Sequence, residues 1–339
     1  MRITNNNQTN FNGALNNKYL LRSLEAVAEH GASFTAGTSF LMSFVVRPIA
    51  INATPNVKKE NKQFASTSSF CSALMKLGVV EAVALPIENA IKKIDKSPEK
   101  YLNQTTIKNL AEHSPKLIDS KSYRLATQIL KLGTGVLTAI PKSMLTVALI
   151  PIMIDKLFQP QKDKEEHLSY QNSKKKDLTF TGNNFITKGI ARILNNKHYQ
   201  NFVTKHKNLE PDIAKHMSAT TDIILSTSYG LNAARSKKIK EEQKRPLIFN
   251  SIIGTGITLA GGYPLDSLIK KQTQPLVAKF IEANKNSSKL SKYIEGINII
   301  RPALIFASIY YIILPMLSTY LAEKTDALLP RSESSGKAL

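Results

Sequence analysis

The sequence predicts an all-α protein made of two homologous three-helix units, and it favours a polytopic membrane helix bundle. Six long segments are apolar and almost free of charge, and a series of short motifs occurs twice in the same order. Few stretches alternate with the two-residue period of a strand, and the apolar segments run well beyond strand length. Helices are therefore expected throughout.

Composition limits the size of the protein and the kinds of site it could hold. The chain has 339 residues, enough for one large domain or two ordinary ones. Its 46 Lys and Arg residues exceed its 25 Asp and Glu residues and leave a net charge of +21. The single cysteine, Cys71, excludes an internal disulfide framework and a thiolate zinc site.

The basic residues are mostly lysines, since only nine of the 46 are arginines. Nucleic-acid binding surfaces usually combine arginine clusters with stacking aromatic residues. The lysine-rich stretches at 58–59, 92–93, 174–176 and 237–238 have few aromatic neighbours. Apart from plain solubility, anionic membrane lipid is therefore the expected partner. A second copy of the chain or another protein comes next, and nucleic acid is not expected.

The two ends of the chain are polar. The first 17 residues contain no apolar core of about 7–15 residues, so we expect no secretory signal peptide. Membrane insertion would then depend on internal segments, and the predicted location is a bacterial inner membrane. Residues 326–339 are predicted to form a short disordered tail.

Several of the apolar segments approach the length that a bilayer requires, about 20 residues for a core of roughly 30 Å. The last segment satisfies this best, with no charge between Arg301 and Glu323. The first, second and fourth are rich in Ser, Thr, Gly and Ala, which allow close helix packing in lipid and equally in a soluble bundle. The segments are residues 31–46, 63–87, 125–154, 217–234, 246–265 and 302–322.

Repeated motifs define the two units, and the strongest match is PIENAIKK at 86–93 with PLDSLIKK at 264–271. The predicted boundaries are 1–160 for the first unit, 161–178 for a charged linker and 179–325 for the second unit. The other matches pair 11–13 with 180–182, His30 with His216, 58–63 with 240–245, 120–131 with 290–301, and 149–153 with 313–317.

The shared motif P-x-[ED]-x-x-I-K-K supplies one set of candidate positions. A proline inside a helix removes a backbone hydrogen bond, so Pro86 and Pro264 are expected to end or kink their helices. Glu88 and Asp266 follow where an acid could cap the next helix. Two interpretations remain open, a structural corner between helices and an acid at a gate or cavity. The candidate structural or gating positions are Pro86, Glu88, Lys92, Pro151, Pro264, Asp266, Lys270 and Pro315.

Ionisable residues inside apolar segments form a second set, namely Lys76, Glu81, Lys142 and Asp222. A charge at the bilayer centre costs a few kcal/mol, so each should face a partner or water. Lys76 and Glu81 would point about 140° apart on a helix and need separate partners. Lys142 could snorkel at a kink, and Asp222 could cap a helix. In a soluble bundle all four would lie on the wet face.

No catalytic, cofactor or metal site is predicted. The six histidines show no metal-ligand spacing on one helix face, and neither phosphate-binding loops nor a nucleophile elbow occur. We therefore expect a non-catalytic integral membrane protein, with a structural, scaffold or transporter-like role. The alternative is a soluble basic helical protein that docks on an anionic membrane or nucleic acid.

Residues 47–63, 92–110, 137–151 and 260–271 resemble an uncharacterised family of bacterial multi-helix proteins. The resemblance implies the helical architecture and assigns no activity or functional residue. PLDSLIKK also resembles the P-x-[DE]-x-x-[KR] signature of mitochondrial carriers. However, Ile91 and Ile269 stand where that signature has a basic residue. Carriers also have three repeats of two helices, so that family is excluded.

The charges of the loops give no consistent membrane orientation. The loops after the first and the fourth segments are both basic. If each unit crossed a membrane three times, the two units would be inverted and these loops would lie on opposite sides. Segments that only dip into the membrane, or weak segments that do not cross, would remove the conflict.

Overall fold

The computed structural model describes residues 15–55, 59–158, 183–239, 241–314 and 316–317. These residues form helices and turns and contain no strand, which confirms the all-α prediction. The predicted linker, the predicted tail and Pro315 lie outside them. The helices are α1 Lys18–Glu29, α2 Gly31–Ala53, α3 Lys59–Lys96, α4 Pro98–Tyr101, α5 Gln104–Ala111, α6 Lys121–Phe158, α7 Asn183–Leu194, α8 Lys197–Lys205, α9 Ile213–Arg235, α10 Glu241–Ala283 and α11 Leu290–Ile313.

Asparagine side chains define the starts of two short helices. The Asn17 side chain accepts a hydrogen bond of 2.8 Å from the Tyr19 amide at the start of α1. Asn196 accepts from the amides of His198 and Tyr199 at the start of α8. Each cap satisfies amides that the first helical turn leaves without a partner.

The long helices continue through their prolines. Pro86 lies inside α3 and Pro264 inside α10, and α6 contains both Pro141 and Pro151. Pro86 and Pro264 therefore do not end their helices, and the other expected outcome, a kink, stays a prediction. Ala84 and Ala90, on either side of Pro86, are completely buried, so helix packing on both sides offsets the missing backbone hydrogen bond.

Helices α2 and α3 run in opposite directions. Ser33, in the first turn of α2, contacts Glu88 late in α3. Further along α2, the Ser43 carbonyl accepts a hydrogen bond of 2.7 Å from Ser69, which comes earlier in α3. Helices α9 and α10 show the same arrangement.

Helices α6 and α9 run in the same direction. Near the start of α6, Arg124 pairs with Glu210, which precedes α9. Nineteen residues further along α6, Ser143 contacts Ser228 of α9. Helix α11 also runs with α2, because Ile299 lies beside Gly31 and Tyr310 beside Arg47. Four helices, α2, α6, α9 and α11, are therefore parallel, and α3 and α10 oppose them.

The N-terminal helix of each half packs on the other half. Leu24 of α1 shares a buried cluster with Phe280 and Tyr293 from α10 and α11. In return, Leu194 of α7 shares a cluster with Tyr123 of α6. Residues of both predicted units therefore share these two buried clusters.

Four described helices are long and apolar enough to cross a membrane, namely Gly31–Ala53, Ala65–Lys96, Lys121–Met153 and Leu290–Ile313. The buried share of their most apolar windows is between 22% and 44%, so much of their apolar surface faces outward. The helices that contain the fourth and fifth apolar segments, α9 and α10, are not among these four.

Candidate functional site

Glu88 joins the end of α3 to the start of α2. Its side chain is completely buried, and its Oε1 accepts hydrogen bonds from the amides of Ala32 (2.8 Å) and Ser33 (3.1 Å). Its Oε2 accepts a bond of 2.7 Å from the Ser33 hydroxyl. A carboxylate at a helix N-terminus satisfies free amides and suits the helix dipole. Glu88 therefore caps α2, which precedes it in the chain, whereas the motif suggested that it caps the helix that follows.

Asp266 occupies the matching place in the second half. It is fully buried, and its Oδ2 accepts from Lys215 Nζ at 3.0 Å, in the first turn of α9. Its Oδ1 accepts from Arg301 Nε at 2.8 Å. Both acids thus bind the first turn of the antiparallel helix beside their own, Glu88 through amides of α2 and Asp266 through a lysine of α9.

The lysine of the repeated motif also makes the same kind of contact twice. Lys92 lies 2.6 Å from Glu29, just before α2 begins. Lys270 lies 2.8 Å from Asp212, just before α9 begins. The strongest sequence match therefore produces two equivalent sets of contacts at the same end of the bundle, where α2, α6, α9 and α11 begin. We call this end the network end.

The acids that receive these lysines titrate below their ordinary range. Burial raises the pKa of Glu29, but hydrogen bonds and charges from Lys292 and Lys92 outweigh it and lower the pKa to about 2. For Asp212, burial again opposes ionisation, and Lys270 with the neighbouring cations lowers the pKa. Both carboxylates are therefore ionised at neutral pH.

Additional buried ion pairs connect the two halves at the network end. Lys131 donates to Glu295 at 2.9 Å and to the Ala28 carbonyl at 2.6 Å. Arg124 pairs with Glu210 at 3.0 Å. The sequence did not identify these partners. The match of residues 120–131 with 290–301, which pairs Lys131 with Arg301, pointed only to α6 and α11, two of the helices involved. A small cavity of about 20 Å³ lies among these groups.

A larger cavity lies in the middle of the bundle, between α2, α3, α6, α9 and α11. Its volume is about 110 Å³, and both Lys142 and Asp222 line it. Two of the ionisable residues singled out in the sequence are thus brought to one site. We call this space the central cavity. Its walls combine apolar side chains such as Leu132 and Phe306 with the hydroxyls of Thr35, Thr38, Ser39, Thr134, Ser218, Thr221, Tyr310 and Tyr311.

The environments of the predicted ionisable residues differ from those expected. Lys142 is 4% exposed, which corrects the expectation that it snorkels to water. Asp222 lies inside α9, away from its start, so it does not cap that helix. Glu81 Oε2 lies 3.0 Å from the Ser33 hydroxyl oxygen, whose single proton goes to one of the two nearby carboxylates, Glu81 or Glu88. The side chain of Lys76 is outside the described part of the structure.

The prolines take no part in the central cavity. Pro86 and Pro151 are half-buried and Pro264 is exposed. The described residues also contain no group of three or more His, Cys, Asp and Glu side chains that could hold a metal ion. Comparisons with protein families, with curated proteins and with solved structures find no match. Function must therefore be argued from the geometry itself.

Proposed function

We propose that this protein is a non-catalytic, membrane-embedded helix bundle built from two homologous units. The observation that supports this most directly is its apolar outer surface. Leu137 is 71% exposed, Ile49 64% and Ile252 58%, and many large apolar side chains on α2, α3, α6 and α11 are similarly open. Large exposed apolar surfaces are typical of membrane or protein interaction sites. We call this surface the apolar belt.

The stretch of α9 between the charged residues at its two ends is as long as a bilayer core is thick. At the network end the buried charges begin near Lys215, and at the opposite end α9 stops at Arg235. These twenty residues of helix span about 30 Å at 1.5 Å per residue. That length equals the hydrocarbon thickness of a typical bilayer.

Homology of the two units is supported by their repeated contacts. Glu88 and Asp266 bind matching helix starts, and Lys92 and Lys270 bind the acids just before those starts. The hairpins α2–α3 and α9–α10 also point the same way, so both basic loops lie at one end of the bundle. The orientation conflict in the loop charges does not arise with this arrangement.

The helix directions limit how many candidates can cross. Helices α6 and α11 run in the same direction. The antiparallel helices α9 and α10 lie between them in the chain, and two crossings in opposite directions would return the chain to the side from which it started. The chain from Phe158 to Ile213 would then have to return through the bilayer. The sequence 159–182 contains Lys162, Asp163, Glu165 and a lysine run, a composition that is unfavourable in hydrocarbon. We therefore propose fewer full crossings than the four candidates.

The same helix directions favour one alternative, a soluble bundle that docks on anionic lipid through its net charge of +21. Membrane fractionation separates the two. An embedded bundle stays in the pellet through high-salt and alkaline washes until detergent is added. A docked protein is released by salt, because its attachment is electrostatic.

Cysteine accessibility tests the apolar belt directly. In a Cys71→Ser background, Leu137→Cys places a thiol in the belt, and Tyr19→Cys places one on α1, where Tyr19 is 79% exposed. In broken membranes with both faces open, a charged maleimide should label position 19 and spare position 137 until the protein is denatured. Equal labelling at both positions before denaturation would show that the belt is in water.

A further inference from the structure

We propose that the exposed face of α7 and α8 lies in the headgroup region of the membrane and binds anionic phospholipid there. Its apolar side chains enter the boundary between headgroups and acyl chains, and its basic side chains bind lipid phosphates. The inference rests on the proposed membrane-embedded bundle, and it adds a segment of the chain and a class of lipid that hold the network end. We call this surface the basic face, and its residues are Phe185, Lys188, Arg192, Ile193, Phe202 and Lys205.

The two sides of α7 differ in what they contact. The buried side packs on α3 through Ile190 and Leu194. The other side carries Phe185, Lys188 and Arg192, whose spacings of three and four residues place them on one stripe of the helix. Phe185 is 82% exposed, so its aromatic ring is almost entirely uncovered. The outer stripe of α7 is therefore open to a partner.

The position of α7 along α3 places this stripe at the level of the headgroups. The apolar segment of α3 ends at Ile87, and α7 shares a buried cluster with Ile91 and Ile94, four and seven residues further along. At 1.5 Å per residue, these positions lie about 6–10 Å beyond the apolar segment. A bilayer of about 40–45 Å with a core of about 30 Å has headgroup layers of about 5–8 Å on each side. When the apolar belt lies in hydrocarbon, α7 therefore lies among the headgroups.

The charge of this segment is complementary to an anionic membrane. Residues 183–205 contain four basic residues and no acidic residue. All four are exposed, and none forms an ion pair within the part of the chain that the structure describes, namely Lys188, Arg192, Lys197 and Lys205. An anionic leaflet attracts each basic residue that lies near its surface, and the attraction adds up over neighbouring residues.

The exposed apolar residues favour lipid over other anionic partners. Phe202 is 49% exposed and lies three residues before Lys205, and Ile193 is 42% exposed and follows Arg192 directly. Interfacial helices combine apolar side chains that enter the acyl boundary with Lys and Arg side chains whose charges stay among the phosphates. Nucleic-acid surfaces usually carry clustered arginines, whereas the basic face has one. Single-stranded DNA is therefore the alternative that the experiment tests.

Tryptophan fluorescence can report on single positions, because the chain contains no tryptophan. Phe185→Trp places a reporter in the basic face, and Leu137→Trp places one in the apolar belt. Each purified full chain is reconstituted in vesicles of phosphatidylcholine and phosphatidylglycerol, with one of the two lipids brominated on its acyl chains so that it quenches tryptophan on contact. At position 185, brominated phosphatidylglycerol should quench at least threefold more strongly than brominated phosphatidylcholine. At position 137, both lipids should quench equally.

Matched charge variants test whether the basic residues cause this preference. In the Phe185→Trp chain, changing Lys188, Arg192 and Lys205 to Gln should reduce the threefold preference to about one, and 0.5 M NaCl should weaken it as well. The control changes two lysines and one arginine at the opposite end of the bundle, Arg235, Lys237 and Lys238, to Gln, and should keep the preference. All six side chains are exposed, and thermal unfolding shows whether each variant is folded. If the triple variant does not fold, Lys188→Gln with Arg192→Gln replaces it and should at least halve the preference.

The outcomes separate this inference from the proposed function. Quenching at position 137 but not at 185 would overturn the inference and leave the embedded bundle standing. No quenching at either position would overturn both. Equal quenching of position 185 by the two lipids would exclude selection of anionic lipid. A shift of the position-185 emission by single-stranded DNA, without quenching by either lipid, would assign the basic face to nucleic acid and overturn the inference.

Discussion

The hydroxyl oxygens of Ser143 and Ser228 lie 2.5 Å apart, one on α6 and one on α9. Together with the ion pair of Arg124 and Glu210 at the network end, this contact fixes the two helices as parallel. The parallel arrangement limits the number of membrane crossings, so it merits a direct test.

A disulfide can test this packing. In a Cys71→Ser background, Ser143→Cys with Ser228→Cys should cross-link spontaneously under mild oxidation, because the side chains already touch. Ser143→Cys with Ser218→Cys is the matched control, since Ser218 lies ten residues, about 15 Å, closer to the network end. A cross-link with position 218 but not with 228 would contradict the parallel arrangement. Mobility on a non-reducing gel reports the result.

Gly296 of α11 lies directly against the backbone of α1 at Leu24. A Cβ at this position would clash with the Leu24 carbonyl oxygen of α1, so Gly296→Ala must push α1 away from α11. We expect a large loss of thermal stability, of about 2–4 kcal/mol. Gly256→Ala in α10 is the control, because nothing lies within 4 Å of its added Cβ. Its stability should stay equal or rise by up to about 1 kcal/mol. Similar melting curves for the two variants would show that α1 does not pack on α11 in this way.

The two acids of the repeated motif, Asp266 and Glu88, should contribute different amounts to the free energy of unfolding. Asp266→Asn removes the anion that Lys215 and Arg301 both face, and should destabilise the protein by about 3–5 kcal/mol. Glu88→Gln keeps one acceptor for the amides of α2, so about 1–3 kcal/mol is expected. The exposed control Glu99→Gln should change little. Unfolding in detergent measures all three, and an Asp266 variant as stable as the control would exclude the structural role.

Acid should weaken the contact between Glu29 and its lysines. The folded pKa of Glu29 is about 2, below its ordinary value of 4.5. A lowered folded pKa contributes stability that is fully present above pH 4.5 and is lost as the pH falls towards 2. Lys92→Met removes one of the two cations, so it should lower stability at pH 7 and reduce the acid-dependent loss. Melting temperatures between pH 7 and pH 2.5 test this.

The neighbouring lysine is the control for that titration. Lys93→Met removes the same charge from the next position of α3, and Lys93 makes no contact with Glu29 in the structure. The melting temperature of the Lys93→Met variant should depend on pH in the same way as that of the parent chain. If Lys92→Met and Lys93→Met show identical acid profiles, Glu29 does not gain its low pKa from Lys92.

The sequence predicted well those features that depend on local pattern. Apolar segments without charge marked the long helices, and the sequence match of Glu88 with Asp266 marked two buried acids that each contact the start of a neighbouring helix. Lys142 and Asp222 stood out because charges are rare in apolar segments, and both line the central cavity. Local pattern could not show that Pro86 lies within a continuous helix, because packing around it decides whether the helix continues.

Features that join distant parts of the chain could not be predicted. Lys131 and Glu295 are 164 residues apart, and nothing near either residue identifies the other as its partner. The packing of α1 on α11 and the shared direction of α6 and α9 could not be predicted for the same reason. Hydrophobic periodicity shows which face of a helix is buried, but it does not show what that face packs against.

The packing of α1 against α11, near the other end of the chain, has a consequence for protein synthesis. Leu24 meets Gly296, a residue that the ribosome adds 272 positions later. At about 5–20 residues per second, the newly made α1 waits on the order of 15–50 s before its packing surface exists. During that interval its apolar face is open to chaperones, to the membrane surface or to a second nascent chain. Assembly of the core is therefore tied to completion of the chain, and truncation before α11 should leave α1 without a place to pack.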